Sequence, residues 1–341
     1  MNKINFLSYI VVLSMAIAIG SCSDDGGKVV TDQAAADEEA ILTYLEENDL
    51  LDVTERDDSG IYYQITNVNE SGATPGSGEV LSIYYRANAL GQQAFDAWEN
   101  DGSNEPLKLQ FNTNSVYPIG LDQSLALMRE KEAAIFYIPS ALAFGELEDL
   151  SSIIPANSVL VVELELDSIQ TEAQVHEEQL AIMDSYVTIN QLNDTINYPL
   201  DSVDILDSDV YYKKLVAGIA DDTLVNGDTA AITYLFYALS SYPGGSPIAG
   251  SSNEVLSFMF NTGTVISGID DGIDQMEIEE KALLIVPSNR AYGASAFVIP
   301  RNRKAYLEEN DIIPEYAIQV SPYQILAMEI ELVAPPQIPP N

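Results

Sequence analysis

The chain has 341 residues, and with 53 acidic against 14 basic residues its formal net charge at pH 7 is −39. Such a chain repels nucleic acid phosphates, which excludes DNA and RNA as partners, while a hydrophobic content of 47% is enough for the packed cores of about two domains. One cysteine and one histidine exclude an internal disulfide, a zinc site and Cys-His or Ser-His nucleophilic chemistry, and the sequence predicts no cofactor.

The first residues are typical of an export signal. Lys3 precedes an apolar run, Phe6 to Ile19, that is shorter than the ~20 residues needed to span a bilayer. The run is followed by Gly20-Ser21-Cys22, which resembles a bacterial lipobox. We therefore predict a lipoprotein signal peptide at residues 1–21 and a lipid on Cys22; the alternative is an ordinary signal peptide with an incidental cysteine.

Residues 22–36 are mostly polar and begin with an acidic cluster, Asp24-Asp25. This composition predicts a flexible tether. Acidic residues directly after a lipidated cysteine resemble the surface-export signals of some Gram-negative lipoproteins. The predicted location is thus the cell envelope, anchored by lipid in the outer membrane and facing either the periplasm or the cell surface.

A helical segment is predicted at the start of each half of the remaining chain. Asp37 can cap a helix in which Ile41, Tyr44 and Leu45 share one face. Residues 171–186 play the same part in the second half. The single histidine, His176, lies there among glutamates, and the interpretation is a solvated helix surface.

Short strand-like runs follow each helical segment, with an amphipathic helix among them. In the first half the runs are 61–67, 80–87, 107–111, 133–138 and 159–166. Apolar residues at i, i+4 and i+7 mark the helix at Leu121, Leu125 and Met128, and again at Ile269, Ile273 and Met276. The predicted fold is α+β, with an antiparallel sheet of about five strands wrapped over one short helix in each half.

An internal repeat divides the chain into these halves. Ala143-Phe144-Gly145 recurs as Ala291-Tyr292-Gly293, 148 positions later, whereas Val159–Leu164 recurs as Ile325–Ile330, 166 positions later. The second half therefore carries 18 additional residues between these motifs. The predicted units are domain 1 at 37–170 (core about 60–170) and domain 2 at 171–335 (core about 208–335), with the insertion at about 294–319.

The motifs around the second helix resemble those of the FKBP-type peptidyl-prolyl cis-trans isomerases. The resemblance is carried by Val265-Ile266-x-Gly268, Met276, Ile285-x-Pro287 and Ala291-Tyr292-Gly293. It implies an enzyme that rotates X-Pro bonds of exported proteins, over a barrier of ~18–20 kcal/mol, in an apolar pocket without a nucleophile. The alternative is an inactive pair of FKBP-like modules that serves as a binding or assembly lipoprotein of the envelope.

The resemblance also implies a pocket in each domain. In domain 1 the pocket residues are Tyr85, Phe95, Asp96, Leu121, Phe144, Ile154 and Val162, with Leu107 at a further aromatic position of the family. In domain 2 they are Tyr234, Val265, Ile266, Ile269, Tyr292 and Met328. Domain 1 lacks the tyrosine hydroxyl at Phe144, and domain 2 lacks the Phe-Asp pair, whose place is taken by Ser246-Pro247-Ile248-Ala249. Leu121 and Ile269 stand where the family has a tryptophan.

Basic residues are concentrated around the insertion. They are Arg290, Arg301, Arg303 and Lys304. One hypothesis is a lip that recognises acidic segments of a partner or substrate, and the other is a surface loop that pairs with the acidic body of the protein.

Overall fold

The computed structural model describes residues 26–147, 153–193, 202–313 and 320–334. Its fold is α+β, as predicted, with one antiparallel sheet in each half of the chain. The helices within the described residues are α1 (Gly26–Glu47), α2 (Ile119–Leu125), α3 (Glu172–Ile189), α4 (Ser267–Ile273) and α5 (Lys304–Glu309). Helices α1 and α3 confirm the helical segments predicted at the start of each half.

Eight strands lie within the described residues of the first half. They are β1 (Glu55–Arg56), β2 (Tyr62–Asn67), β3 (Val80–Ala89), β4 (Ala94–Trp98), β5 (Leu107–Gln110), β6 (Val116–Tyr117), β7 (Ala133–Ile138) and β8 (Leu160–Gln170). All except β6 form one sheet in the order β1-β2-β7-β8-β3-β4, and β5 also pairs with β3. The sheet has seven strands rather than the predicted five or so, because the short β1 and β4 also find partners.

The second half repeats this arrangement. Its strands are β9 (Asp204–Ile205), β10 (Tyr211–Val216), β11 (Thr229–Ala238), β12 (Ala249–Met259), β13 (Lys281–Val286), β14 (Phe297–Val298) and β15 (Leu326–Leu332). All except β14 form a six-stranded sheet in the order β12-β11-β15-β13-β10-β9. One long strand, β12, pairs with β11 where the first sheet uses both β4 and β5 against β3.

One face of each sheet packs on a short helix. Leu121 and Leu125 of α2 are fully buried against the first sheet, and Ile269 and Ile273 of α4 take the same place in the second. Burial of each such side chain stabilises the fold by roughly 1.5–3 kcal/mol. The helix approaches so closely that a Cβ at Gly120 would collide with the side chain of Ile138.

The long helices α1 and α3 cover the opposite faces. Ile41 and Leu45 of α1 are fully buried in a cluster with Tyr62 and Tyr137 of the first sheet. In the second domain, Met183 and Val187 of α3 pack in the same way on Tyr211, Leu283 and Ile285. Each sheet is therefore a middle layer between two helices.

The structure corrects two predictions about the start of the chain. Residues 26–36 are not a flexible tether, because α1 begins at Gly26 and runs through three successive alanines, which are strong helix formers. Asp37 does not cap this helix. It lies in the middle of α1, only 3% exposed, and accepts hydrogen bonds from the backbone N–H and the hydroxyl of Ser140 at 2.8 and 2.7 Å.

The two halves are joined by a two-stranded parallel sheet. Strand β14, from the insertion of domain 2, pairs with β6 of domain 1, with Phe297 opposite Val116 and Val298 opposite Tyr117. The Ile299–Pro300 peptide bond, directly after β14, is cis. A segment of the second domain is thus built into the first.

Candidate active sites in the two domains

The pocket residues predicted in domain 1 come together in the structure. They lie on β3 (Tyr85), β4 (Phe95 and Asp96), α2 (Leu121), the turn after β7 (Phe144), the loop before β8 (Ile154) and β8 itself (Val162). Five of them are buried in one hydrophobic cluster, and Phe95 packs against it. The ring of Phe95 meets that of Phe144 edge-on, with centroids 6.3 Å apart. Their role in catalysis stays a prediction.

The polar corner of this pocket is formed by Tyr85 and Asp96. The Tyr85 hydroxyl donates a hydrogen bond of 2.6 Å to Oδ2 of Asp96. Burial, followed by the charge of Asp96 and this hydrogen bond, raises the pKa of Tyr85. The tyrosine therefore stays a hydrogen-bond donor, and the carboxylate presents its remaining lone pairs to a third group.

That third group comes from domain 2. The backbone N–H of Arg301 donates to Oδ2 of Asp96 at 2.8 Å, and its guanidinium Nη2 donates to Oδ1 at 3.1 Å. The guanidinium also lies over the Trp98 ring, with its central carbon 4.8 Å from the centroid. Just before Arg301, Phe297 and Ile299 are 3% and 0% exposed and belong to the hydrophobic cluster of domain 1.

The pocket of domain 1 is therefore occupied by residues 297–301, here called the internal segment. The prediction of a pocket did not include this occupant. The signal in the sequence was the apolar run Ala296–Pro300, which is unusual inside an insertion otherwise rich in charged residues. Leu107, predicted at an aromatic position, packs against the cluster of domain 1 and also lines a cavity of about 360 Å³ together with residues of the insertion.

The predicted pocket of domain 2 is also assembled, and its walls are more exposed. Ile269 and Met328 are buried at its base, while Tyr234, Val265, Ile266 and Tyr292 pack half-buried against the same cluster. The Tyr234 ring lies 4.6 Å from that of Phe236. Burial, with a smaller contribution from Tyr234, raises the pKa of Tyr292. The Tyr292 hydroxyl thus remains a donor at neutral pH.

The position of the missing Phe-Asp pair in domain 2 is filled by an apolar side chain. Ile248 packs half-buried on the core cluster just before β12 begins. No aspartate stands at this position of the sequence, so Tyr234 lacks the carboxylate partner that Tyr85 has. The two pockets differ in both occupancy and polarity.

The basic residues near the insertion contact the protein itself, and hydrogen bonds hold Arg290, Arg301 and Lys304. Arg290 donates from Nε to the carbonyl of Ser208 at 3.2 Å. Lys304 is 7% exposed and donates from Nζ to Ser295 Oγ at 2.7 Å and to the Val320 carbonyl at 3.1 Å. Arg303 lies in the turn that precedes α5. For Arg301 and Lys304 these contacts favour the alternative of a loop that pairs with the protein itself, and the cationic lip for acidic partners stays a prediction.

One aspartate on each of the short helices α4 and α2 accepts a hydrogen bond from a backbone N–H. Asp270 is 8% exposed, and its Oδ1 accepts the backbone N–H of Asn261 at 3.0 Å. Asp122 of α2 accepts the N–H of Asn112 in the same way.

His176 is half-buried, and its Nε2 lies 2.9 Å from Oδ2 of Asp209. Over the described ranges, the structure shows no cluster of three His, Cys, Asp or Glu side chains able to hold a metal.

The predicted lipidation site, Cys22, and the signal peptide at residues 1–21 lie outside the described residues. Among the helices that the structure describes, none combines the length and the apolar character needed to cross a membrane. The lipid anchor and the location in the envelope remain predictions from the sequence.

Comparison with known proteins identifies the family. The model of the FKBP-type peptidyl-prolyl cis-trans isomerase family matches residues 72–167 and again residues 221–333. These two regions make up more than half of the chain, and the protein therefore belongs to this family. It carries two FKBP-like domains, as the internal repeat predicted.

The chain is similar to curated bacterial members of the family. It is 31% identical over 147 residues to the FKBP-type peptidyl-prolyl cis-trans isomerase FkpA of Aeromonas hydrophila, with 41% of this chain and 52% of that protein covered. It is 28% identical over 151 residues to a probable FkpA of Neisseria meningitidis serogroup B, with 44% and 53% covered. The chain thus spans about half the length of these relatives.

Solved structures of the family also match. The three FKBP domains of wheat FKBP73 match with a TM-score of 0.30 and 17% identity, covering 81% of this chain and 95% of that one. FkpA of Escherichia coli matches with a TM-score of 0.33 and 25% identity, covering 42% and 64%.

Proposed function

We propose that this protein is a peptidyl-prolyl cis-trans isomerase that acts on X-Pro bonds of exported polypeptides, and that domain 2 provides the pocket that receives them. The observation that supports this choice of domain is exposure. The side chains of Tyr234, Val265, Ile266 and Tyr292 are half-exposed around a buried floor, so an incoming proline ring has apolar walls to contact. The corresponding pocket in domain 1 is filled by the internal segment.

The chemistry needs no covalent step. Rotation about an X-Pro bond is slow because resonance keeps the amide planar, with a barrier of ~18–20 kcal/mol. A twisted amide is less polar than a planar one, and an apolar pocket therefore stabilises it relative to the planar ground state. The Tyr292 hydroxyl is the donor available to a substrate carbonyl, and Ile269 and Met328 form the apolar floor.

The assay that tests this proposal follows isomerisation of a short proline peptide by the whole chain. Substitution Tyr292→Phe removes one hydroxyl donor and should lower kcat/KM about fivefold, which corresponds to the ~1 kcal/mol of a hydrogen bond. Tyr237→Phe is the matched control, since Tyr237 lies on β11 but packs in the cluster on the opposite face of the sheet. Equal activity of wild type and Tyr292→Phe would remove the Tyr292 hydroxyl from the mechanism.

We further propose that the protein is a lipoprotein of the envelope, attached through Cys22 with proline-containing polypeptides as its clients. The support is the short apolar run at residues 6–19 and the lipobox-like Gly20-Ser21-Cys22. Substitution Cys22→Ser should release the protein from the membrane fraction, while protease treatment of intact cells would distinguish the surface from the periplasmic face. Retention of Cys22→Ser in membranes would contradict the lipid anchor.

A second candidate function is a catalytically inactive binding or assembly lipoprotein. The occupied pocket of domain 1 favours it, because a filled pocket cannot take a client at the same time. Absence of isomerase activity in the wild-type chain, with membrane attachment retained, would favour this function over the first.

A further inference from the structure

Residues 297–301 contact domain 1 in the manner of a bound peptide. The backbone of β14 extends β6 as a parallel strand, and the N–H groups of Phe297 and Ile299 donate to the carbonyls of Ser115 and Tyr117 at 2.7 and 2.9 Å. Strand addition of this kind provides affinity through the main chain and leaves alternate side chains free to select a sequence.

The side chains alternate between the two domains. Phe297 and Ile299 enter the core cluster of domain 1, and the ring of Phe297 meets Tyr85 edge-on with centroids 6.0 Å apart. Val298 points the other way, into a cluster with Ala296 and Leu307 of the insertion. The next residue, Pro300, is buried. Two alternate apolar side chains are therefore removed from water on the domain 1 side of the segment.

The last residue of the internal segment, Arg301, lies at the polar corner of the pocket. Asp96 accepts both the backbone N–H and the guanidinium of Arg301, and a second donation from Nη2 reaches the carbonyl of Ala97 at 3.0 Å. The guanidinium also stacks over Trp98. The guanidinium of arginine is planar, so it can form several fixed hydrogen bonds and stack on an indole at the same time. The ammonium of lysine cannot do both.

We propose that domain 1 is a binding site for polypeptide segments in which an aliphatic residue, proline and arginine follow one another, and that residues 297–301 occupy it as an internal ligand. The groups that hold this segment, Tyr85 and Asp96, are those at which the family resemblance predicts substrate contacts. The occupant comes from the insertion that only domain 2 carries. The assignment goes beyond the proposed function, which concerns the pocket of domain 2.

A tethered ligand competes strongly with free peptides. A short tether holds its ligand at an effective concentration in the millimolar range, so a free peptide that binds with Kd of about 10 µM is weakened roughly 100-fold. An external segment therefore reaches domain 1 only when the internal segment leaves. Release of residues 297–301 should expose the site without change to the fold of β3, β4 and α2.

The experiment uses the whole chain and a synthetic peptide, Ala-Phe-Val-Ile-Pro-Arg-Asn, that copies residues 296–302. Trp98 is the only tryptophan in the sequence, and its emission reports directly on the site because Arg301 lies over its ring. Two released variants are compared with wild type: Arg301→Glu, and a chain in which residues 297–301 are replaced by Gly-Ser-Gly-Ser-Gly. Arg303→Glu makes the same change of charge and serves as the control, since Arg303 makes none of the Asp96 hydrogen bonds described above.

The released variants should bind the peptide at least tenfold more tightly than wild type or Arg303→Glu, with a change in Trp98 emission. A peptide with glutamate in place of arginine should lose at least tenfold in affinity for them. If a released chain keeps its thermal unfolding transition and binds no peptide, or if wild type binds as tightly, the assignment is wrong. Should the Gly-Ser chain fail to fold, Arg301→Glu alone decides between these outcomes.

Failure here and failure of the proposed function are distinguishable. Peptide binding is read at Trp98 in domain 1, whereas the isomerase assay is read through Tyr292 in domain 2. A chain that isomerises proline peptides but never binds the copied peptide supports the proposed isomerase function and contradicts the peptide site of domain 1.

Discussion

The two domains hold the same pocket in two states. In domain 1 the walls are closed over residues 297–301 of the other domain, and Tyr85 is 2% exposed. In domain 2 the equivalent Tyr234 is half-exposed. Their chemistry differs as well, since domain 1 has the carboxylate of Asp96 and domain 2 has the hydroxyl of Tyr292. A repeated fold can thus place recognition of a basic segment in one copy and an accessible apolar pocket in the other.

This difference depends most on the apolar contact of Ile299. Substitution Ile299→Asp places a carboxylate where the side chain is now 0% exposed, which should lower the free energy of unfolding by about 4 kcal/mol or expel the segment. Urea unfolding followed by Trp98 fluorescence measures both results. Ile205→Asp is the matched control, because Ile205 is 59% exposed and should change stability by no more than ~0.5 kcal/mol. Equal unfolding curves and emission for both variants would show that domain 1 is not closed by this contact.

The pH dependence of stability tests whether the Lys304 ammonium is buried in the insertion that carries the internal segment. Burial lowers the pKa of Lys304 from 10.5 to about 8. Between these values the unfolded chain binds the proton more tightly than the folded chain does, so the stability rises as the pH rises from about 8 towards 10.5. The gain attributable to Lys304 between pH 8 and pH 10 should be on the order of 2 kcal/mol.

The measurement compares urea unfolding of wild type and Lys304→Met across this pH range. The difference between the two curves isolates Lys304 from the tyrosines, whose raised pKa values act in the opposite direction above pH 10. A difference that stays constant from pH 8 to pH 10 would mean that the Lys304 ammonium is not buried in solution.

The sequence predicted the repeated elements of this fold because each is encoded locally. The i, i+4, i+7 spacing of Leu121, Leu125 and Met128 predicted α2, and all three are fully buried, although the helix itself ends at Leu125. The family motifs likewise led to the walls of both pockets. The position of Asp37 was mistaken because a capping residue and a buried helix residue that binds a distant backbone, here Ser140, are the same residue type.

The occupant of domain 1 could not be predicted from these patterns. Its contacts join Phe297 to Ser115 and Arg301 to Asp96, pairs separated by roughly 200 residues in the chain, and no periodicity or spacing encodes such a pairing. The basic residues of the insertion predicted either an external acidic partner or pairing with the acidic body of the protein, without indicating which acidic group each would meet. The acidic group that Arg301 meets, Asp96, belongs to the chain itself.

The smallest expected effect comes from exchanging the middle residue of the Ala-x-Gly turn that both domains share. The exchange tests how well each pocket excludes water. Phe144 is 6% exposed between the rings of Phe95 and Tyr117, so Phe144→Tyr buries a hydroxyl among apolar groups and should cost about 1 kcal/mol of stability. The reverse change, Tyr292→Phe, removes a hydroxyl from a half-exposed ring and should cost less than ~0.5 kcal/mol. Thermal unfolding of both variants measures the contrast. If Phe144→Tyr is as neutral as Tyr292→Phe, water reaches the pocket of domain 1, and the internal segment does not seal it.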